Sequence, residues 1–313
     1  MTNYPQDDFG LIRRDAALRR GISDAHRAAA VKRGGLIRLV PGVDVEPSEE
    51  FDGHEGAQKL HRLKAIAVST SNLGAEKALP LSHASAASLH GLPLLKPDLG
   101  RVHVTTGRVA GGSIRSHRHL HAAPLEADEL VRCDGLLVTS LERTAVDVAT
   151  SGDFTQALTA FDQALRLGAD RSLMQEILVR RRRRNAKIAE RALRFASALA
   201  DSVGESWSRA QIIDATLPIP RLQQEIVVAS GRTYRTDFDW DWRLVGEFDG
   251  MTKYGRLRRR GESVADAVIR EKLREDEIRD TGPMVVRWIW SDLERDLLIP
   301  RLRNRLVALG LAA

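Results

Sequence analysis

The stretch RTDFDWDWRLVGEFDG, residues 235–250, decides the fold of the C-terminal part of the chain. Side chains alternate between the two faces of a strand, so Asp237 and Asp239 share one face. Glu247 and Asp249 share a face of the next strand for the same reason. When the two strands pair as a hairpin, Asp237 comes close to Glu247 or Asp249. The stretch therefore predicts a shared acidic site that contains Asp237, Glu247 and Asp249.

The segments around this stretch read as alternating helices and strands of one domain. Apolar periodicity and the punctuating prolines and glycines set their boundaries. The expected order is α, β, β, β, α, β, α. The segments are a helix over 205–216, strands over 224–229, 233–240 and 244–249, a helix over 263–279, a strand over 284–290 and a helix over 292–309.

An acidic site of this kind indicates metal-dependent chemistry on a phosphodiester. Neighbouring carboxylates repel each other, and a bound cation relieves that repulsion. Hard oxygen ligands select Mg²⁺ or Mn²⁺, which polarises a phosphodiester and activates a water molecule. Lys253 is placed to neutralise developing charge, and Glu205 to approach from the preceding helix as a ligand or an acid–base group. The alternative interpretation is a set of solvated acids at strand ends.

Basic residues follow the acidic stretch and suit a polyanionic partner. Arg256 and Arg258 come directly after it, while Arg270 and Arg274 lie four residues apart on one face of the predicted helix. Nearby glutamates leave a salt-bridged surface as the alternative. The arginine run at residues 180–184 is interpreted as the start of a linker, with DNA contact as the other option.

Residues 9–45 have the pattern helix, turn, helix, hairpin. Gly21 suits the end of the first helix, and Ser23 is expected to cap the second, at residues 24–33. The apolar runs on either side of Pro41 and Gly42 indicate a hairpin, so the pattern is that of a winged helix-turn-helix. A small helical bundle with a basic face is the alternative. The residues predicted to contact DNA are Ser23, His26, Arg27, Lys32, Arg33 and Arg38.

The region between residues 46 and 184 is a mixture of predicted helices and short strands. His117, His119 and His121 alternate along one of these strands and so share a face. Three imidazoles can bind zinc, but the sequence offers no fourth ligand, and an exposed polar strand face is the favoured interpretation.

The bulk composition is that of a folded protein with a basic balance. The chain has 313 residues, 43% of them hydrophobic, and a net charge of +6. Its single cysteine, Cys133, excludes an internal disulfide. No apolar run suits a signal core or a membrane span, so a cytoplasmic protein with no membrane partner is expected. The positive charge favours DNA as a partner.

The residues Arg235–Phe238 and Val245–Gly250 resemble the core of the PD-(D/E)xK nuclease superfamily, within it the very-short-patch-repair-like endonuclease domains. The resemblance covers about residues 200–310 and implies a restriction-endonuclease-like α/β fold. It implies that Asp237 binds the metal and that Glu247 is the acidic residue of the (D/E)xK element. The sequence departs from the pattern at Asp249, where the superfamily has a lysine. Either Lys253 replaces that lysine from the following turn, or the chain resembles the repair-type branch, which lacks it.

The layout of residues 8–170 resembles the AbiEi-like antitoxins of type IV toxin–antitoxin systems. The expected fold class is mixed α/β, with a winged helix-turn-helix at 1–48, a mixed α+β AbiEi-like region at 49–184 and a nuclease-like domain with a central sheet at 185–313. The expected function is that of a DNA-binding protein with a metal-dependent endonuclease domain. The alternative is a non-enzymatic regulator or antitoxin, with an operator or a toxin as partner and a degenerate nuclease fold.

Overall fold

The fold is mixed α/β, as predicted, with helices and several small sheets. The computed structural model describes residues 3–70, 79–180, 184–250 and 263–312. The chain divides into two compact units, Met1–Val148 and Ala149–Ala313. The division into three domains stays a prediction. Lys253, Arg256, Arg258 and the middle of the arginine run, residues 181–183, lie outside the described residues.

The first unit begins with the predicted helix-turn-helix and hairpin. Its short sheet has the strand order β1-β3-β2 and is antiparallel throughout. Gly21 and Gly42 have φ angles of 76° and 84°, a conformation that glycine adopts at little cost, and they form the two predicted turns. The elements are β1 (Ile12–Arg13), α1 (Arg14–Arg19), α2 (Asp24–Lys32), β2 (Ile37–Val40) and β3 (Val43–Val45).

The remainder of the first unit, as far as the structure describes it, places helices beside two small sheets. β4 pairs with β6 in parallel, β6 pairs with β5 in antiparallel fashion, and β7 and β8 form a hairpin. Apolar residues of α3, α4, β4 and β8 form a shared core around Leu81. The elements are α3 (Gly53–Ser69), α4 (His83–His90), β4 (Val102–Gly107), β5 (Ser113–Ile114), β6 (Arg118–Pro124), β7 (Leu130–Cys133), β8 (Leu136–Thr139) and α5 (Leu141–Ser151).

The second unit begins with three helices that lead to the C-terminal sheet. The first of them begins with a capping box, in which Asp153 and Gln156 bond each other's backbone N–H groups. Its buried Asp162 forms an ion pair with Arg209 of the helix that follows these three. Among the described residues of the chain, no helix combines the length and the apolar content needed to cross a membrane. The three helices are α6 (Phe154–Arg166), α7 (Arg171–Val179) and α8 (Ala186–Phe195).

The C-terminal sheet has four strands in the order β12-β11-β10-β9. β9, β10 and β11 are antiparallel neighbours, while β12 runs parallel to β11. The predicted order of elements is confirmed, except that the last predicted helix is two helices separated by residues 295–297. The elements are α9 (Val203–Asp214), β9 (Arg221–Val227), β10 (Thr233–Trp240), β11 (Leu244–Asp249), α10 (Val264–Arg279), β12 (Met284–Ile289), α11 (Trp290–Glu294) and α12 (Leu298–Ala308).

Helix α9 packs closely on one face of this sheet. A Cβ atom on Gly204 would lie 2.0 Å from Cε1 of Phe248, so the helix approaches β11 more closely than any larger residue permits. One turn further on, Ser208 Oγ accepts a hydrogen bond of 2.7 Å from the indole of Trp288. Alternation along β11 then places the side chains of Glu247 and Asp249 on the opposite face.

Candidate functional site

Asp237 and Glu247 lie opposite each other on neighbouring strands. The observed register pairs Phe238 with Gly246 and Asp239 with Val245, and Asp237 and Glu247 are the residues that come next on the two strands, just past the end of this ladder. An Asp237 carboxylate oxygen accepts a hydrogen bond of 2.9 Å from the backbone N–H of Phe248. Glu247 is only 2% exposed. The structure therefore brings these two predicted site residues together on one face of the sheet, the acidic face.

Glu205 approaches Asp237 from the first turn of α9. Its carboxylate accepts hydrogen bonds of 2.8 Å from the backbone N–H of Asp201 and the hydroxyl of Ser202, and one of 3.0 Å from the Gln223 side chain. Burial, followed by the negative charge of Asp237, raises the pKa of Glu205 to about 7. Glu205 thus caps its own helix and is also electrostatically linked to the acidic face, where it is partly protonated at neutral pH.

Gln223 is a neighbour of this site that the sequence did not indicate. It lies on β9 across from Asp237 and has a φ angle of 52°, a left-handed conformation that is uncommon for a residue other than glycine. This local distortion accompanies the side-chain contact with Glu205. A polar residue in a half-buried strand position carries no signal of such a role, so only the structure identifies Gln223.

Arginine side chains bound to carboxylates supply positive charge to the acidic face. Arg274 of α10 contacts Glu247 at 3.1 Å and also donates a hydrogen bond of 2.8 Å to the backbone oxygen of Arg235. Arg287 of β12 contacts Asp249 at 3.2 Å. The contact of Arg274 with DNA stays a prediction, and in the structure its guanidinium group is paired with the buried carboxylate of Glu247.

A preformed metal-binding site on the acidic face would need several carboxylate oxygens close together. Among the residues that the structure describes, no three of its carboxylates bring ligand oxygens within 4.8 Å of one another. Asp239, which shares a strand face with Asp237, is buried and forms an ion pair of 2.9 Å with Arg221. The oxygen donors suit Mg²⁺ or Mn²⁺ in type, but an ion bound to Oε1 of Glu247 would have to replace the guanidinium group of Arg274.

Arg270 lies one turn before Arg274, beside a cavity of about 410 Å³ between α10 and the start of β10. Its predicted contact with DNA stays a prediction, because nothing in the structure tests it. The cavity is lined by Arg232, Tyr234, Asp266, Ile269, Arg270, Leu273 and Arg274.

Helix α2 of the predicted winged helix-turn-helix presents polar residues to solvent. Ser23 caps it, with its hydroxyl oxygen accepting a hydrogen bond of 3.2 Å from the backbone N–H of His26. His26, Lys32 and Arg33 are exposed. In the part of the chain that the structure describes, neither Lys32 nor Arg33 forms an ion pair, so both charges are available to a phosphate.

Arg27 lies on the inner side of α2, and its contact with DNA stays a prediction. The side chain is 2% exposed and forms an ion pair with Asp44 of β3, which is fully buried. Arg38 of the hairpin contacts the other oxygen of the same carboxylate and keeps 40% of its side chain exposed. One aspartate therefore joins the second helix to the wing, and Arg38 keeps an accessible edge.

The histidines of the middle region form a cluster other than the predicted one. His117 is exposed and takes no part, whereas His121 is joined by His83 at the start of α4 and His103 of β4. Burial lowers the pKa of His103 to about 4 and that of His121 to about 2, so both rings are neutral at physiological pH. The parallel pairing of β4 with β6 assembles this cluster, and spacing along one strand does not reveal it.

The comparisons with known proteins bear on the middle region and on the whole chain. Residues 79–195 match the family model of the AbiEi antitoxin C-terminal domain, which confirms the AbiEi-like resemblance for that region. Two uncharacterized proteins of Mycobacterium tuberculosis, from strains CDC 1551 and H37Rv, are each 29% identical over 277 residues. Each alignment covers 85% of this chain and 90% of the relative. The nuclease resemblance stays a prediction.

Proposed function

We propose that the chain is a DNA-binding regulator of the antitoxin type, in which the winged helix-turn-helix binds an operator. The observation that carries the proposal is the exposed face of α2, where Lys32 and Arg33 have no ion-pair partner among the described residues. The match of residues 79–195 to an antitoxin domain supports it. A toxin is then the protein partner.

The exposed face of α2 has the composition that major-groove binding requires. The beginning of a recognition helix approaches base edges, and His26, near that beginning, offers a ring nitrogen to them. Lys32 and Arg33 at the other end are placed to bind phosphate groups. Arg38 on the hairpin keeps its partly exposed side chain for the flanking backbone.

A binding assay on the DNA upstream of the gene tests this proposal. Labelled upstream fragments are titrated with the protein at moderate salt, with an unrelated fragment of equal length as competitor. We expect specific binding that Lys32→Ala and Arg33→Ala each weaken several-fold, because each loses one phosphate contact. His26→Ala is expected to reduce the preference for the upstream fragment over the unrelated one.

Arg194→Ala is the matched control, since it also removes one exposed positive charge but lies on α8 in the second unit. Equal weakening by Arg194→Ala would indicate a general charge effect and contradict a specific role of α2. The absence of a preference for any upstream fragment would reject the regulator. A toxin encoded by a neighbouring gene, neutralised when both proteins are co-expressed, would support the antitoxin part.

A metal-dependent endonuclease is the second candidate function. The specific observation in its favour is Asp237 opposite Glu247, with Glu205 beside them, in a domain with the order α, β, β, β, α, β. Asp237 and Glu247 would hold Mg²⁺ or Mn²⁺, which supplies Lewis-acid activation of a phosphodiester when bound. Asp249 is the further ligand of this hypothesis, and Lys253 remains its positively charged group.

Cleavage of a supercoiled plasmid in Mg²⁺ or Mn²⁺ tests the second candidate. Nicking by the wild type that disappears in both Asp237→Asn and Glu247→Gln would support it. Glu225→Gln, which changes an exposed acid on β9, is the control that should retain the activity. Equal nicking by the wild type and both site variants would reject the endonuclease and leave the regulator as the function.

A further inference from the structure

Three histidines from three elements of the first unit meet at one point. His83 begins α4, His103 lies in the middle of β4, and His121 lies on β6. Their ligand nitrogens all lie within 4.8 Å of one another. In the observed register His121 pairs with Thr105, two residues beyond His103 on the same face of β4.

The backbone fixes His83 against this strand pair. The N–H of Ser82 donates a hydrogen bond of 3.0 Å to the carbonyl oxygen of His103. His83 itself has a φ angle of 50°. That left-handed conformation costs a residue with a side chain on the order of 1 kcal/mol, and such conformations concentrate at functional sites. The strained backbone of His83, a residue whose imidazole can bind a metal, indicates that its position in the cluster is functional.

The spacing of the nitrogens is close to that of ligands on one metal ion. His103 Nδ1 lies 2.9 Å from His121 Nε2. Ligands at a zinc–nitrogen distance of about 2.0–2.1 Å and tetrahedral angles are about 3.3 Å apart, so a small shift admits an ion. The His83 ring packs on that of His121, with centroids 3.7 Å apart.

The wall behind the cluster is buried and polar. His103 is 8% exposed and Thr105 is fully buried. Oγ1 of Thr105 has no hydrogen-bond partner among the described residues. A buried polar atom of this kind is costly unless a bound species completes its contacts. On the solvent side, the partly exposed ring of His119 stacks on His121 at 3.8 Å.

We propose that His83, His103 and His121 bind a late first-row divalent ion, with Zn²⁺ as the physiological candidate. Imidazole nitrogens favour zinc, copper and nickel over Mg²⁺ or Ca²⁺. Three protein ligands leave one position of a tetrahedral zinc ion for water or another ligand. The site belongs to the first unit, and it depends neither on DNA binding nor on the acidic face.

Titration of the full chain with Co²⁺ and Zn²⁺ after treatment with a chelator tests the site. We expect one equivalent of Co²⁺ to give the visible absorption bands of a nitrogen-ligated, low-coordinate ion, and one equivalent of Zn²⁺ to remove them. His83→Gln and His121→Gln should each lower the affinity by about 100-fold or more, because each deletes a ligand. His117→Gln changes an exposed histidine just before the same strand and should leave the affinity unchanged.

Two further measurements separate this site from the acidic face and from a loss of folding. Glu247→Gln should retain the equivalent of Co²⁺, and loss of the ion in that variant would assign it to the acidic face and overturn the proposal. Urea unfolding in the presence of chelator shows whether the histidine variants fold. If they do not fold, the Co²⁺ spectrum of the wild type decides whether nitrogen ligands bind the ion. A wild type that takes up no ion, or binding that survives in folded His83→Gln and His121→Gln, would overturn the proposal.

Discussion

At the scale of single residues, Glu205 combines a structural role with an unusual protonation. Its carboxylate completes the first turn of α9 through hydrogen bonds to Asp201 and Ser202. The same carboxylate is buried near the negative charge of Asp237, and its pKa is therefore about 7. A group with these two properties links the stability of the second unit to pH.

The contribution of Glu205 to the free energy of unfolding should decrease as pH rises. The carboxyl titrates near 4.5 in the unfolded chain and near 7 in the folded one, so the folded chain holds the extra proton between these values. Stability from this group is therefore lost as pH rises from about 4.5 to 7 and is constant above that range. Glu205→Gln should make the change in the free energy of unfolding across this pH range smaller by on the order of 2 kcal/mol.

Urea unfolding of metal-free protein at about pH 5 and about pH 8 measures this term. The comparison is the change between the two pH values in the wild type and in Glu205→Gln, with Glu225→Gln as the exposed control. A pH-dependent change that is the same in all three proteins would contradict the raised pKa.

Replacing Arg27 should destabilise the first unit strongly. Asp44 is fully buried, and Arg27 is the buried partner of its carboxylate. Arg27→Ala leaves that charge with only the partly exposed Arg38, at a cost of about 3–5 kcal/mol, whereas surface changes such as Lys32→Ala cost about 0.5 kcal/mol or less. Chemical denaturation of both variants measures the difference. Similar losses in Arg27→Ala and Lys32→Ala would show that the ion pair contributes little.

At the scale of elements, the contact between α9 and β11 depends on a missing side chain. Gly204→Ala would place a methyl group 2.0 Å from Phe248 Cε1, so the helix or the ring must move. We expect a loss of about 1–3 kcal/mol, as for other overpacked cores. Gly35→Ala is the control, because its new methyl group meets an atom no closer than 3.6 Å. Unfolding by urea compares the two, and an unchanged midpoint for Gly204→Ala would contradict the close approach.

The sequence predicted the strands of the C-terminal sheet better than the groups that surround them. The strands at residues 233–240 and 244–249 are confirmed to the residue, because alternating apolar positions and bounding turns are local signals. The opposition of Asp237 and Glu247 follows from a hairpin alone. The pairing of Arg274 with Glu247 depends on where α10 docks, a long-range contact that no local pattern encodes.

The histidine cluster shows the same limit in the first unit. Alternation along one strand singles out His117, His119 and His121, but that pattern covers a single element. The observed cluster needs the parallel pairing of β4 with β6 and the start of α4 beside them. Spacing cannot predict which strands become parallel neighbours, so only the structure identifies His83 and His103.

At the scale of the whole molecule, the positive charge predicts a salt-dependent partner. The chain carries a net charge of +6, and nucleic acid is the polyanion that a winged helix-turn-helix recognises. Each phosphate contact contributes about 0.9 to the slope of log K against log salt. The double variant Lys32→Ala/Arg33→Ala should therefore lower the slope by about 2. Anisotropy titrations over a series of salt concentrations measure it, and an unchanged slope would place the phosphate contacts elsewhere.

The ion pairs of Asp44 affect how the proposed DNA binding would proceed. Its carboxylate contacts Arg27 of the second helix and Arg38 of the wing, so the angle between these two elements is set before any DNA arrives. A preorganised pair loses little conformational entropy on association. If the proposed operator binding holds, recognition resembles the docking of a rigid body, and it favours operators whose groove width already fits the fixed separation of helix and wing.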